Sequence, residues 1–188
     1  MEKATAESLD DLLGKARNGD RAAFSQIVRT LMNQVAALTY RMIGEREAAK
    51  DLAQETFVSA WEHLDSFRGD AAVHSWIYRI AVNKCLNYLK LVKVRESSSS
   101  GSTEPDAQIA SENPERDLER QELSTGFRAF TAQLPPQQRA IFELRFYQSM
   151  SFEEIADQLD RALGTVKTGY REAVKKLRVH AESKGWRS

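Results

Sequence analysis

Lys167, Thr168, Arg171 and Lys175 recur at helical spacing near the C-terminus, and side chains of these types contact phosphates and base edges. Val166, Tyr170, Ala173 and Leu177 follow at spacings of four, three and four, so they form the opposite, apolar side of the same helix. Thr165 stands before this helix as its cap. Upstream, Ser151 and Glu154 have the spacing of a capping box, and Ile155 and Leu159 give a shorter helix its inner face. Leu163 and Gly164 are expected to end the turn between the two helices, with Gly supplying the backbone freedom. Ser151 to Arg178 therefore has the form of a helix-turn-helix, which lays its second helix in the major groove of DNA. The alternative is a solvated amphipathic helix, with Glu172 paired to Lys176 one turn on. The cap, the turn, the helix pair and the charge together favour DNA.

The charge pattern extends this reading. The chain has 188 residues, with 27 basic and 27 acidic side chains, so net charge says nothing about nucleic acid. Its distribution does. Arg161 to Ser188 carries eight basic residues against two acids, and Ser66 to Arg95 carries six against one. Ile43 to Asp65 reverses the balance, with six acids against two basic residues. Two basic faces and one acidic face point to two polyanion contacts and one protein contact. Ordinary clumping of charge on solvated helices is the competing explanation.

These residues need helices to position them, and strand signals are nearly absent. A short helix near Leu9–Arg17 precedes a turn at Asn18-Gly19-Asp20. A long helix follows, with Phe24, Ile27, Val28, Leu31, Val35 and Leu38 inward and Gly44 as its C-terminal cap. The next helix runs from about Glu47 to Leu64, carrying Leu52, Phe57, Ala60, Trp61 and Leu64. Ser66 to Asp70 is a loop, and a further helix runs from about Val73 to Val92. Cys85 sits on that helix's apolar stripe and is expected to be a buried small hydrophobe. Residues 1–95 form a first helical domain. Residues 96–115, rich in Ser and with two prolines, form a flexible linker. Residues 116–188 form a second domain. In it Leu123, Phe127, Phe130 and Leu134 make one stripe, and Pro135-Pro136 stops one helix and opens the next. The fold class is all-α: two small helical domains joined by a flexible linker.

The composition excludes several classes. A single cysteine forms no internal disulfide and fits a reducing compartment. The acidic start MEKATAESLDDLL has no apolar core of a signal peptide, and no apolar run is long enough to span a bilayer. The expectation is a cytoplasmic, soluble protein without direct membrane insertion. His63, His74 and His180 are scattered, with no metal-ligand spacing, phosphate loop or nucleophile elbow. No cofactor, metal or catalytic residue is expected, and the chain does not look like an enzyme.

In this order the parts resemble one family, the extracytoplasmic-function group of the sigma-70 family of bacterial RNA polymerase sigma factors. The resemblance rests on Asp51-Leu52-Ala53-Gln54-Glu55-Thr56-Phe57-Val58-Ser59-Ala60-Trp61, on Phe67-Arg68-Gly69-Asp70 and on Trp76-Ile77-Tyr78-Arg79-Ile80-Ala81-Val82-Asn83. It continues in Leu134-Pro135-Pro136-Gln137-Gln138-Arg139 and the helix-turn-helix, and covers nearly the whole chain. It implies a region-2-like bundle followed by a region-4-like helix-turn-helix domain.

The resemblance implies roles. Asp51, Gln54, Glu55 and Phe57 would dock on core RNA polymerase, with the core of the domain as the alternative place for Phe57 and for Trp61. Phe67, Arg68, Asp70, Arg79, Asn83 and Lys84 would open and read the minus-ten promoter element, holding a base of the melted strand. Trp76 would either stack on a base or hold the helix in the core. His74 stands where the family often has an aromatic residue. Thr165, Lys167, Thr168, Arg171 and Lys175 would read duplex at minus thirty-five. There the chain has Asp160-Arg161 where the family often has Gly-Ile or Gly-Val, and Asp tolerates a left-handed turn. Gly169 and Glu172 replace two common basic positions, and Gly inside a helix costs about 1 kcal/mol relative to Ala. Core polymerase, promoter DNA and an anti-sigma factor are the implied partners. Two rival functions remain at this level: a helix-turn-helix regulator acting without polymerase, and a helical adaptor that binds only protein.

Overall fold

In a computed structural model, residues 7–69, 71–98, 129–183 and 185 are described below. Seven α-helices carry them: α1 (Leu9–Arg17), α2 (Arg21–Ile43), α3 (Arg46–Glu62), α4 (Val73–Ser98), α5 (Pro136–Phe146), α6 (Phe152–Leu159) and α7 (Leu163–Ser183). A 3-10 turn at Leu64–Ser66 follows α3, and residues 129–132 are helical ahead of α5.

Local chemistry sets the ends. The Ser8 hydroxyl accepts from the Asp11 backbone N–H and starts α1, and the Asp20 carboxylate accepts from the Ala22 and Ala23 N–H groups and starts α2. Gly44, at φ 84°, ends α2 in a left-handed conformation that costs glycine nothing. Pro136 opens α5, where its missing N–H is no loss.

α2 is the central helix. Ile27, Leu31, Val35, Leu38 and Met42 are buried along one side of it. They pack with Leu52, Ala53, Phe57 and Ala60 of α3 and with Ile77, Ala81, Val82 and Cys85 of α4. Cys85 is inside, as its stripe requires, and burial pushes its thiol up to about 12, which keeps it un-ionised and unreactive. The helix carrying it is longer than its apolar pattern indicates. α4 continues past Val92 to Ser98 and takes in Glu96–Ser98, the first residues of the expected linker. No Gly or Pro interrupts the sequence there, and Lys93 and Arg95 suit the negative end of a helix. The rest of that linker, with Leu123 and Phe127, lies outside the described residues.

In the second domain Phe130, Leu134, Phe142 and Ala173 form one small core. Ile141, Leu144, Ile155 and Val166 belong instead to a core continuous with the first domain. The two domains are packed together: α5 lies against α2 and α4, and α6 against α4.

Candidate polymerase and nucleic-acid interfaces

On α3, the buried stripe of Leu52, Ala53, Phe57 and Ala60 turns Asp51, Gln54, Glu55 and Val58 outward, at the spacing of one helical face. Phe57 is only 4% exposed, so it is a core residue, and its expected contact with a partner is corrected on that ground. Its neighbour Val58 is 57% exposed and is the apolar group this acidic face offers. Trp61 is half-buried, its ring 5.0 Å from that of Phe24.

Between α3 and α4 the chain turns through a loop over a cleft of about 570 Å³. Phe67, Gly69, Ala71 and Ala72 line one side, Arg17 of α1 and Glu154 of α6 the others. Phe67 is half-buried, with its ring 5.3 Å from Trp76, so Trp76 braces the loop from below. Arg68 is exposed; Asp70 lies outside the described residues. Gly69, at φ 81°, makes the turn that only glycine adopts readily. On α4, Arg79 and Asn83 are exposed one turn apart, on the same face. Lys84 donates to the Glu55 carboxylate at 3.3 Å and so joins this face to α3. Arg17 and Glu154 were not visible as cleft residues in the sequence. The Ser151 N–H donates to the Glu154 carboxylate and holds it below the usual range, so the cleft has a fixed negative charge at its wall.

The helix-turn-helix has the expected capping box at Ser151 and Glu154. Its tight turn is made by Asp160 in the left-handed region, at φ 51° and ψ 56°. Leu163-Gly164 does not end the turn, because α7 already begins at Leu163 and the Ala162 carbonyl accepts from the Val166 N–H. Thr165 therefore sits in the first turn of α7 and is not its cap. Thr165, Thr168, Arg171 and Lys175 are all exposed. Lys167 is half-buried and lies 3.6 Å from the Glu153 carboxylate. Gly169 faces inward: a Cβ added there would stand 2.8 Å from Ile141 Cδ1, the tip of a side chain of α5.

Residues 27–93 match the family described as Sigma-70 region 2, and residues 127–177 that described as Sigma-70, region 4. The RNA polymerase sigma-H factor of Pseudomonas aeruginosa is 32% identical over 183 residues, 92% of this chain and 94% of that protein. The chain belongs to the sigma-70 family, in its extracytoplasmic-function group. The ECF RNA polymerase sigma-E factor of Escherichia coli is 34% identical over 176 residues, covering 87% of this sigma factor and 90% of the relative. Its fold is also that of CnrH, solved in complex with the cytosolic domain of CnrY: TM-score 0.66 and 25% identity over 92% of this chain and 96% of that one. The sigma factor RpoE of Bartonella quintana, solved with the anti-sigma factor NepR, has a TM-score of 0.71 at 22% identity, covering 85% and 96%. Among the described residues of this sigma factor, no helix is long and apolar enough to cross a membrane, and no cluster of three or more His, Cys, Asp or Glu could hold a metal.

Proposed function

We propose that this RNA polymerase sigma factor places three surfaces on one scaffold. Asp51, Gln54, Glu55 and Val58 of α3 dock on core polymerase, the acids orienting a basic partner around a small apolar anchor. The loop Phe67–Ala72 receives a nucleotide of the melted minus-ten strand, and Arg68, Arg79, Asn83 and Lys84 follow its backbone. Thr165, Thr168, Arg171 and Lys175 enter the major groove at minus thirty-five, and Lys167 clamps phosphate. Residues 1–95 carry the first two tasks, 116–188 the third, and 96–115 link them. An anti-sigma factor that covers these surfaces, and a cytoplasmic location beside the polymerase, belong to the same reading. The factor lends specificity and has no catalysis of its own. The observation that carries the site assignment is the two-sidedness of α7: Val166 and Ala173 are buried while Thr165, Thr168, Arg171 and Lys175 are exposed.

The test is transcription by bacterial core polymerase plus this protein on a fragmented library of host DNA. Discrete start sites are the expected result, lost with Asp51→Ala combined with Glu55→Ala. Arg171→Ala and Lys175→Ala should each lower the log–log salt slope of duplex binding by about 1. Unchanged slopes would remove α7 from the DNA surface.

A further inference from the structure

α1 lies ahead of residues 27–93, which carry the region-2 match, and none of the three proposed surfaces uses it. Leu12, Leu13 and Ala16 are buried and fix it against α2. Its outer face carries Asp10, Gly14 and Arg17 at spacings of four and three, all exposed. That face is part of the cleft under the minus-ten loop: Asp10, Leu13, Gly14 and Arg17 line it together with Phe67, Gly69, Ala71 and Ala72. Every lining residue except Glu154 belongs to the first domain, so α1 and the loop build these walls without the second.

Gly14 is the informative residue. Glycine inside a helix is destabilising relative to alanine. Its φ is not positive, and a Cβ added there would meet nothing within 4 Å. Neither backbone conformation nor internal packing therefore requires glycine. What it leaves is a bare strip of helix facing an open cleft, between a carboxylate and a guanidinium. Asp10 and Arg17 each sit at the helix end that the macrodipole favours, but that accounts for neither the gap between them nor their place in the cleft. Neither side chain makes a hydrogen bond or ion pair with another described residue, so both are open to a ligand.

The chemistry fits a nucleotide. A wall without side chains, with the Phe67 ring in the same cleft, suits a flat base. A carboxylate accepts from an exocyclic amino group, and a guanidinium pairs with phosphate. The cleft's volume of about 570 Å³ is that of a small-molecule site. We propose that α1 is the second half of the strand site: a base with an exocyclic amino group lies against Gly14, the Asp10 carboxylate accepts from that group, and Arg17 holds the adjoining phosphate. Thymine carries no exocyclic amino group, and its carbonyl oxygens are repelled by the Asp10 carboxylate, so it is the base this wall excludes. The inference rests on the loop's assignment to the minus-ten strand and adds base selection by a helix outside the matched region.

The test uses holoenzyme reconstituted from core polymerase and the full chain, on a promoter mapped from its own transcripts with the minus-ten positions randomised. At one position of the melted strand, wild type should disfavour thymine about tenfold. Asp10→Ala should remove that discrimination there and leave the other positions unchanged. Arg17→Ala should weaken opening on every sequence and lower the log–log salt slope for a single-stranded minus-ten oligonucleotide by about 0.7. Gly14→Leu should fill the cleft. Opening, read by permanganate reactivity of unpaired thymines, should fall about tenfold while the melting temperature holds or rises, because leucine is the better helix former. A merely structural glycine would not separate these two readouts. Phe67→Ala tests the loop itself, and Arg79→Ala, at an exposed position, tests the strand site without disturbing the packing of Phe67 on Trp76. If these two impair opening while the three α1 variants open like wild type, the inference fails and the loop reading stands. If all five open like wild type, the loop reading fails and the inference with it. An Asp10→Ala loss that is equal for all four bases overturns base selection by Asp10.

Discussion

The seam between α2 and α5 and the outer face of α7 both depend on arginine, and they use it in opposite ways. At the seam Arg139 is 7% exposed, held by three carbonyls from both domains, and its charge is spent inside the protein. On α7, Arg171 is exposed and its guanidinium is open to a polyanion. A buried cation fixes one arrangement of a chain, whereas an exposed one is available to a ligand. Residue type alone does not separate these roles; burial does.

The largest expected effect breaks the contrast at the seam. Arg139→Ala removes donors to the Met42, Ala132 and Leu134 carbonyls and leaves Arg41 as the one cation coupled to Glu143 among the described residues. Removing one member of such a buried network costs roughly 3 kcal/mol. Arg171→Ala should change stability by less than about 0.5 kcal/mol. Thermal unfolding of both variants followed by circular dichroism makes the comparison. Equal melting temperatures would mean that the seam arginine is as dispensable for stability as the surface one.

A smaller effect sharpens the same comparison within one helix. Gly169 and Thr168 are neighbours on α7, but Gly169 faces Ile141 while Thr168 faces solvent. Ala at 169 needs only the flexible tip of Ile141 to move, and the helix gains about 1 kcal/mol from losing glycine, so Gly169→Ala should be near neutral. Gly169→Arg forces a long side chain into that contact and should cost about 2 kcal/mol by urea denaturation. Thr168→Arg should cost almost nothing and tighten duplex binding. If Gly169→Arg is equally harmless, position 169 is a surface position and glycine there is only a missing contact.

The same division governs what the sequence could reveal. Features made by near neighbours were legible: the Ser151–Glu154 capping box, the left-handed Asp160, Pro136 opening α5 and the buried stripe of α2. Two errors were one helical step wide. Phe57 and Val58 are adjacent and both apolar, and only packing against α2 and α4 shows which turns inward. Gly164 looked like a turn residue, but α7 begins one residue earlier. The seam was illegible for a different reason. Arg41 and Glu143 are 102 positions apart, and Arg139 and Met42 are 97 apart. No local periodicity relates them, and each alone resembles a solvated charge on a helix. Glu154 at the cleft was hidden in the same way, because its capping role accounted for it.

The smallest effect lies where the two kinds of surface meet. Glu55 belongs to the proposed polymerase face and Lys84 to the proposed strand face, and they pair at 3.3 Å with Glu55 60% exposed. A pair so open to water contributes at most about 0.5 kcal/mol to stability, and salt screens it. A double-mutant cycle of Glu55→Gln and Lys84→Met should show that small coupling and lose it at high salt. Its functional sign is more telling. If the proposed faces are right, Glu55→Gln should weaken docking on polymerase while freeing the Lys84 ammonium for a phosphate. The same substitution should therefore lower affinity for core polymerase and raise the free factor's affinity for single-stranded promoter DNA by a few-fold. A neutral partner at position 55 leaves Lys84 without its ion pair, so the strand affinity of Glu55→Gln should also become more salt-dependent. If both affinities fall together, Glu55 acts through the shape of α3, and the pair does not join the two surfaces.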